Sequence, residues 1–172
     1  MAKTYKSTRK SYPAQVIKNS GVNEPLLALP LIPNPIAYIS SLLGLSGSVY
    51  SEMQYIKASR EGIKKAALSK LAINMGITQE KMCQLLHIST RTYQRLKEAD
   101  TLDIFTSEQA IEMAQVLAKA QSVFETDALV KQWLHAPLLA LGGSAPLDLL
   151  DTGFGAKLVL DTLSRLEQGV YS

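Results

Sequence analysis

The residues from Thr78 to Lys97 constrain what this chain can fold into more than any other stretch. Thr78 and Ser89 are hydroxyl residues of the type that caps helix starts, and each precedes a helical pattern of apolar positions. In the first helix Met82, Leu85 and Leu86 form the inward face, and Cys83 is small enough for a second helix to approach closely. His87 falls at the turn, where such arrangements often carry Gly, and His tolerates a left-handed backbone better than most residues. Ile88 plugs the turn. The second helix buries Tyr93 and Leu96 and directs Thr90, Arg91, Gln94, Arg95 and Lys97 outward. This is the pattern of a helix-turn-helix.

The outward set suits a DNA major groove. Arg91 and Arg95 can pair with guanine and Gln94 with adenine, while Thr78, Ser89, Thr90 and Lys97 hold phosphates. The alternative is a plain helical hairpin with a solvated basic face. One recognition helix covers one half-site, so a homodimer is expected through the N-terminal and helix-turn-helix region. Ordinary core packing explains the apolar N-terminal helices equally well.

The remaining sequence is also punctuated for helices. The first residues, rich in Lys, Ser and Tyr without periodicity, read as a mobile tail, and Pro25, Pro30, Pro33 and Pro35 forbid a continuous helix there. Ile36–Leu45 and Val49–Ile56 can form short helices around a break at Gly44–Ser48. Ser59 is a candidate cap for a helix carrying Ile63, Ala67, Leu68, Leu71 and Met75, ended by Gly76. Thr106 with Gln109 reads as a capping box, with Phe105 as a staple, for a helix carrying Ile111, Ala114, Leu117 and Ala118. A helix from about Thr126 presents Leu129, Trp133 and Leu134 and stops near Pro137. The last, after Thr152, carries Ala156, Val159, Leu160, Leu163 and Leu166 before Gly169. No sustained period-2 run is flanked by hairpin turns, so the expected class is all-α. The expected division is 1–58 as tail and short helices, 59–124 as the helix-turn-helix domain and 125–172 as a small helical C-terminal domain.

Charge divides the chain in the same sense. Residues 1–60 carry seven Lys/Arg against two Asp/Glu, a net of +5, and residues 61–100 a net of +3. Residues 101–172 carry four against nine, a net of −5. A basic front half suits a polyanion and an acidic back half suits a different partner. Cys83 is the single cysteine, which rules out an intrachain disulfide and favours a reducing compartment. No apolar run approaches the ~20 residues of a membrane span, and the basic start lacks the apolar core of a signal peptide.

Catalytic and cofactor signals are weak. Asp151-Thr152-Gly153 resembles an aspartic-protease triplet, but that chemistry needs a β-rich fold to pair two carboxylates, whereas Thr152 here enters a helical stripe. Asp151 or Thr152 reads as a helix cap, with negative charge favourable at the helix start. His87 and His135 have no Cys or carboxylate at metal-ligand spacing, and Gly153-Phe154-Gly155 follows no strand. No enzyme activity, metal or cofactor is expected.

Trp133-Leu134, Pro137, Ala140-Leu141-Gly142-Gly143, Pro146-Leu147, Leu149-Leu150-Asp151-Thr152, Gly155, Arg165-Leu166-Glu167 and Gly169-Val170-Tyr171 resemble the C-terminal toxin-binding signature of Xre/MbcA/ParS-type antitoxins. With the helix-turn-helix, the resemblance covers about residues 60–172. It implies a cytoplasmic antitoxin that represses its own operon and blocks the active-site pocket of a RES-domain toxin, an enzyme that degrades NAD or ADP-ribosylates with it. Toxin contacts are then expected at Trp133, Pro137, Leu141, Gly142, Gly143, Asp148, Asp151, Arg165, Glu167 and Tyr171. Acidic groups there can mask the Arg and Lys of a nucleotide-phosphate pocket. Trp133 and the Gly142–Gly143 turn also read as core and tight loop, and Tyr171 as a frayed terminus. Resembling proteins often carry an acid where this chain has Gly153. From a different class, a stand-alone helix-turn-helix regulator with a small C-terminal dimerisation domain also fits the residues.

Overall fold

A computed structural model describes residues 35–45, 52–124 and 126–169. The architecture is all-α: α1 (Pro35–Leu43), α2 (Glu52–Glu61), α3 (Lys65–Met75), α4 (Gln79–Leu85), α5 (Thr90–Arg95), α6 (Ile104–Val123), α7 (Asp127–His135) and α8 (Gly153–Glu167). Two 3-10 turns, Leu139–Leu141 and Pro146–Leu149, connect the last two helices. Among the described residues there is no strand, only isolated bridges between Lys64 and Thr101 and between Leu138 and Ser144. The expected tail and its prolines up to Pro33 lie outside the described residues, as does Tyr171.

α6 is the axis. It is buried nearly all round, through Ala110, Ile111, Met113, Ala114, Val116, Leu117, Ala118 and Ala120, which is the pattern of a central rather than a surface helix. α1, α2, α3, α7 and α8 all pack against it. Its alanines at 110, 114 and 118 recur every four residues and let neighbouring helices approach. Ser107 is completely buried but satisfied: its hydroxyl accepts the Ile63 N–H at 2.9 Å and donates to the Leu102 carbonyl at 3.4 Å.

Two expected helix starts are displaced. Ser59 does not cap α3; it lies inside α2, buried, and its hydroxyl donates to the Tyr55 carbonyl at 2.9 Å. The chain breaks at Gly62 instead (φ +84°), where a side chain would also strike the Leu102 carbonyl at 2.6 Å, and α3 begins at Lys65. Ile63, Ala67, Leu68, Leu71 and Met75 are nonetheless all buried, and Gly76 closes α3. The second displacement concerns Thr106. Asp103 caps α6, its carboxylate accepting the Thr106 N–H at 3.1 Å and the Thr106 hydroxyl at 2.6 Å. Thr106 is therefore within the helix and buried, Phe105 is 81% exposed rather than a staple, and Gln109 donates to the Leu150 carbonyl at 2.8 Å. A carboxylate reaching two donors displaced the hydroxyl as cap. Likewise Leu129 is exposed on α7, whose buried face is Val130 and Leu134.

Thr126, about where a helix is expected to begin, caps α7, and Thr152 rather than Asp151 caps α8; they accept from the Leu129 and Gly155 N–H groups at 3.3 and 3.1 Å. Gly155 is obligatory at the α8 start, since a Cβ there would lie 1.8 Å from the Leu149 carbonyl oxygen. That close approach seats α8 on the preceding 3-10 turn.

The hydrogen bonds from Thr106, first its hydroxyl and then its N–H, hold the Asp103 carboxyl below its ordinary range. Asp103→Ala should cost about 1 kcal/mol at neutral pH, or about 2–4 °C in Tm. Because the folded-state pKa is depressed, this contribution is complete above about pH 4 and is lost as pH falls through the folded value. Melts of wild type and variant should therefore converge on acidification. A constant difference down to the acid limit would contradict the capping role.

Candidate nucleic-acid interface and partner face

The recognition element is built from two capped helices. The Thr78 hydroxyl accepts the Lys81 N–H at 3.2 Å and starts α4; the Ser89 hydroxyl accepts the Thr92 N–H at 3.0 Å and starts α5. Met82, Cys83, Leu85 and Leu86 are buried, Ile88 is half-buried against the core, and Tyr93 is 3% exposed. Burial first, and then Glu80, pushes the Cys83 thiol above its ordinary pKa, so it is an inert packing group. His87 occupies the left-handed region at φ 54°, as expected for the turn.

Arg91, Gln94, Arg95 and Lys97 are exposed together on or just beyond α5, while Thr90 is half-buried. The second helix is shorter than the pattern indicates. α5 ends at Arg95, Leu96 turns to extended backbone and is only half-buried, and Lys97 lies beyond the helix with its N–H donating to Asp100 at 2.8 Å. Lys65 accounts for that end. Its side chain, 11% exposed, donates to the Leu96 carbonyl at 2.8 Å, lies 3.3 Å from Glu98 and sits over the Tyr93 ring at 4.8 Å. The Tyr93 hydroxyl also pairs with Ser69 at 3.2 Å. Thus α5 is pinned to α3 while its cationic side chains make no hydrogen bond or ion pair with the described residues. Lys65 carries no signal in the sequence, since a cation's anchoring role is visible only once its partners are placed.

The residues expected at the partner face differ in exposure and in what they touch. Trp133 is half-buried and meets the Phe124 ring in a tilted contact with centroids 5.6 Å apart, and Leu141 is buried; both pack on the core. Pro137, Gly142 and Gly143 are exposed on the loop around the first 3-10 turn. Asp148 is exposed but pairs with Lys81 of α4 at 2.8 Å, and Glu167 pairs with Lys119 of α6. Asp151 is half-buried and its carbonyl meets His87 Nε2 at 2.7 Å; Arg165 is exposed on α8. Glu112 lies beside Gly153, its carboxylate 3.2 Å from where a Cβ would stand. Burial first, and then the Glu108 charge, raises the Glu112 pKa, so an acid at 153 would add like charge to a strained spot. Gly153 fits that neighbour.

Two large apolar side chains were missed. Leu139 is 96% exposed and Phe154 91%, and Leu158, four residues after Phe154, is 42% exposed on the same side of α8. Their signal was present in the sequence: Phe154 and Leu158 fall outside the Ala156–Val159–Leu163 stripe. Among the described residues no three His, Cys, Asp or Glu are grouped to hold a metal ion, and no helix is long and apolar enough to cross a membrane.

A family model described as the antitoxin Xre-like helix-turn-helix domain matches residues 54–115. A second, described as the antitoxin Xre/MbcA/ParS C-terminal toxin-binding domain, matches residues 119–169. A Prs ADP-ribosylating antitoxin of Sphingobium sp. (strain YBL2) is 27% identical over 133 residues, covering 71% of this chain and 83% of that protein. With an α4–α5 helix-turn-helix and both domains matched in order, the chain belongs to the Xre/MbcA/ParS-type antitoxins and is the antitoxin of a toxin–antitoxin system.

Proposed function

We propose that this antitoxin reads operator DNA through α5 and neutralises a cognate toxin through its C-terminal module, residues 125–172, with residues 59–124 as the DNA-binding unit. The observation that carries the DNA reading is the set Arg91, Gln94, Arg95 and Lys97, exposed on a helix that Lys65 and Tyr93 hold to the core. Arg91 and Gln94, toward the N-terminal half of α5, address base edges; Lys97, with the capped starts at Thr78, Ser89 and Thr90, addresses the phosphates. Binding as a homodimer would place two such helices on a two-fold operator. The protein is non-catalytic and acts in the cytoplasm.

The toxin is of the RES class. The name of the Sphingobium relative supports a partner with ADP-ribosylating chemistry, and the net charge of −5 over residues 101–172 supports a cationic pocket on that partner. Exposed Phe154 and Leu139 are the apolar anchors of the contact, since nearly bare aromatic and aliphatic side chains are favourable to bury on association. Pro137, Gly142, Gly143, Asp151 and Arg165 surround them in sequence, and Asp148 and Glu167 contribute if their ion pairs open. Tyr171 completes the proposed contact.

Arg91→Ala and Gln94→Ala should each weaken operator binding by about 1–3 kcal/mol and relax sequence preference, whereas Lys97→Ala should weaken binding to all DNA and flatten its salt dependence. Titrations of fluorescent duplexes at several salt concentrations separate these effects. Unchanged affinity in Arg91→Ala/Gln94→Ala would contradict the recognition helix.

Phe154→Asp should weaken toxin binding by about 2 kcal/mol or more, roughly thirtyfold, with little change in Tm because the side chain is exposed. Calorimetry of the co-purified pair checks this. Wild-type affinity would place the toxin contact elsewhere.

A further inference from the structure

His87 is the one non-glycine residue at positive φ among the described residues. Its conformation is one that L side chains adopt at a cost, so something must hold it there. The side chain supplies the reason. Nε2 lies 2.7 Å from the backbone carbonyl oxygen of Asp151, and because a carbonyl only accepts, Nε2 carries the proton and donates. Asp151 immediately precedes Thr152, the cap of α8. The turn of the helix-turn-helix is thereby tied to the entrance of the toxin-binding domain's last helix.

The tie falls at the opposite end of α5 from its other long-range fastenings. At its C-terminal end α5 is fastened by Lys65 on the Leu96 carbonyl and by the Tyr93–Ser69 pair. At its N-terminal end, the end that enters a major groove, Ile88 is only half-buried and Ser89 is exposed. A second strut runs parallel, from Lys81 of α4 to Asp148 at 2.8 Å. The two struts land three residues apart, one on the Pro146–Leu149 turn and one on the lead-in to α8.

We infer that His87 is a positioning residue for DNA recognition: it tethers the N-terminal end of α5 to the Asp151 carbonyl, so that the toxin-binding domain braces the DNA-reading helix. The inference rests on the DNA-binding reading of α5. It makes the two modules mechanically dependent, because anything that shifts the α8 entrance also shifts the turn before the recognition helix.

The test uses the full chain with His87→Gly and His87→Asn. Glycine relieves the backbone conformation and removes the tether; asparagine tolerates the same conformation but is too short to keep the ring's reach. Both should melt no lower than wild type by more than a degree or two. Both should bind a duplex from upstream of the chain's own gene about three- to tenfold more weakly, the range one hydrogen bond contributes, with the salt slope unchanged. Hydrogen–deuterium exchange without DNA should quicken in residues 88–93 and also in 150–155. Wild-type affinity in both variants, or a melt lowered in proportion to the affinity loss, overturns the positioning role. Recovery of affinity in His87→Asn alone overturns the tether in favour of glycine's looseness. Unchanged exchange in 150–155 overturns the tether whatever the DNA result. Faster exchange in both segments, with no duplex binding even by wild type, supports the tether and overturns the DNA-binding reading instead.

Discussion

Burial of α6 on nearly every side is the constraint on which the rest depends. A helix of 20 residues with so little polar surface cannot stand alone, and each neighbour hides part of it. α1, α2 and α3 cover it from the N-terminal side of the chain and α7 and α8 from the C-terminal side. The two matched domains therefore share one continuous core rather than meeting through a linker. Gln109 reinforces the sharing by donating from α6 to the Leu150 carbonyl, as does His135, whose Nε2 lies 3.0 Å from the Met75 carbonyl.

α5 is a dependent element. Six residues are too few for a helix to persist in water on its own propensity. Side chains from elsewhere fix it, Lys65 and Ser69 at one end and the His87 turn at the other. With the backbone fixed this way, the arginines and Gln94 are exposed and make no hydrogen bond or ion pair with the described residues. The acidic half shows the opposite economy: Asp148 and Glu167 neutralise lysines of the same chain, and the largest unburied features there are apolar.

The all-α class, the order of the helices and the helix-turn-helix were legible because they follow local rules. Thr78, Ser89, Thr126 and Thr152 each cap the helix that their spacing to the next apolar stripe indicates. His87 was legible as a turn residue by its tolerance of positive φ, but its bond to Asp151 was not, since 64 residues separate the pair. Where local rules compete, the sequence misled. Asp103 and Thr106 are both good caps three residues apart, and the carboxylate won by accepting two hydrogen bonds. Ser59 fits a cap pattern, yet Gly62 next to the Leu102 carbonyl decides where the chain breaks. Trp133 and Leu141 carry the family resemblance through packing, whereas Phe154 and Leu139 do not belong to the quoted signature and are exposed. Signature positions mix fold and contact, and only burial separates them.

On the proposed function, DNA and toxin occupy separate surfaces built on the one core around α6. Mass photometry of the full chain mixed with its cognate toxin and an operator duplex decides whether they do. The expected result is a ternary species whose mass sums all three components. Strict exchange, in which toxin releases every duplex without a ternary species, would contradict it by placing both partners on one surface.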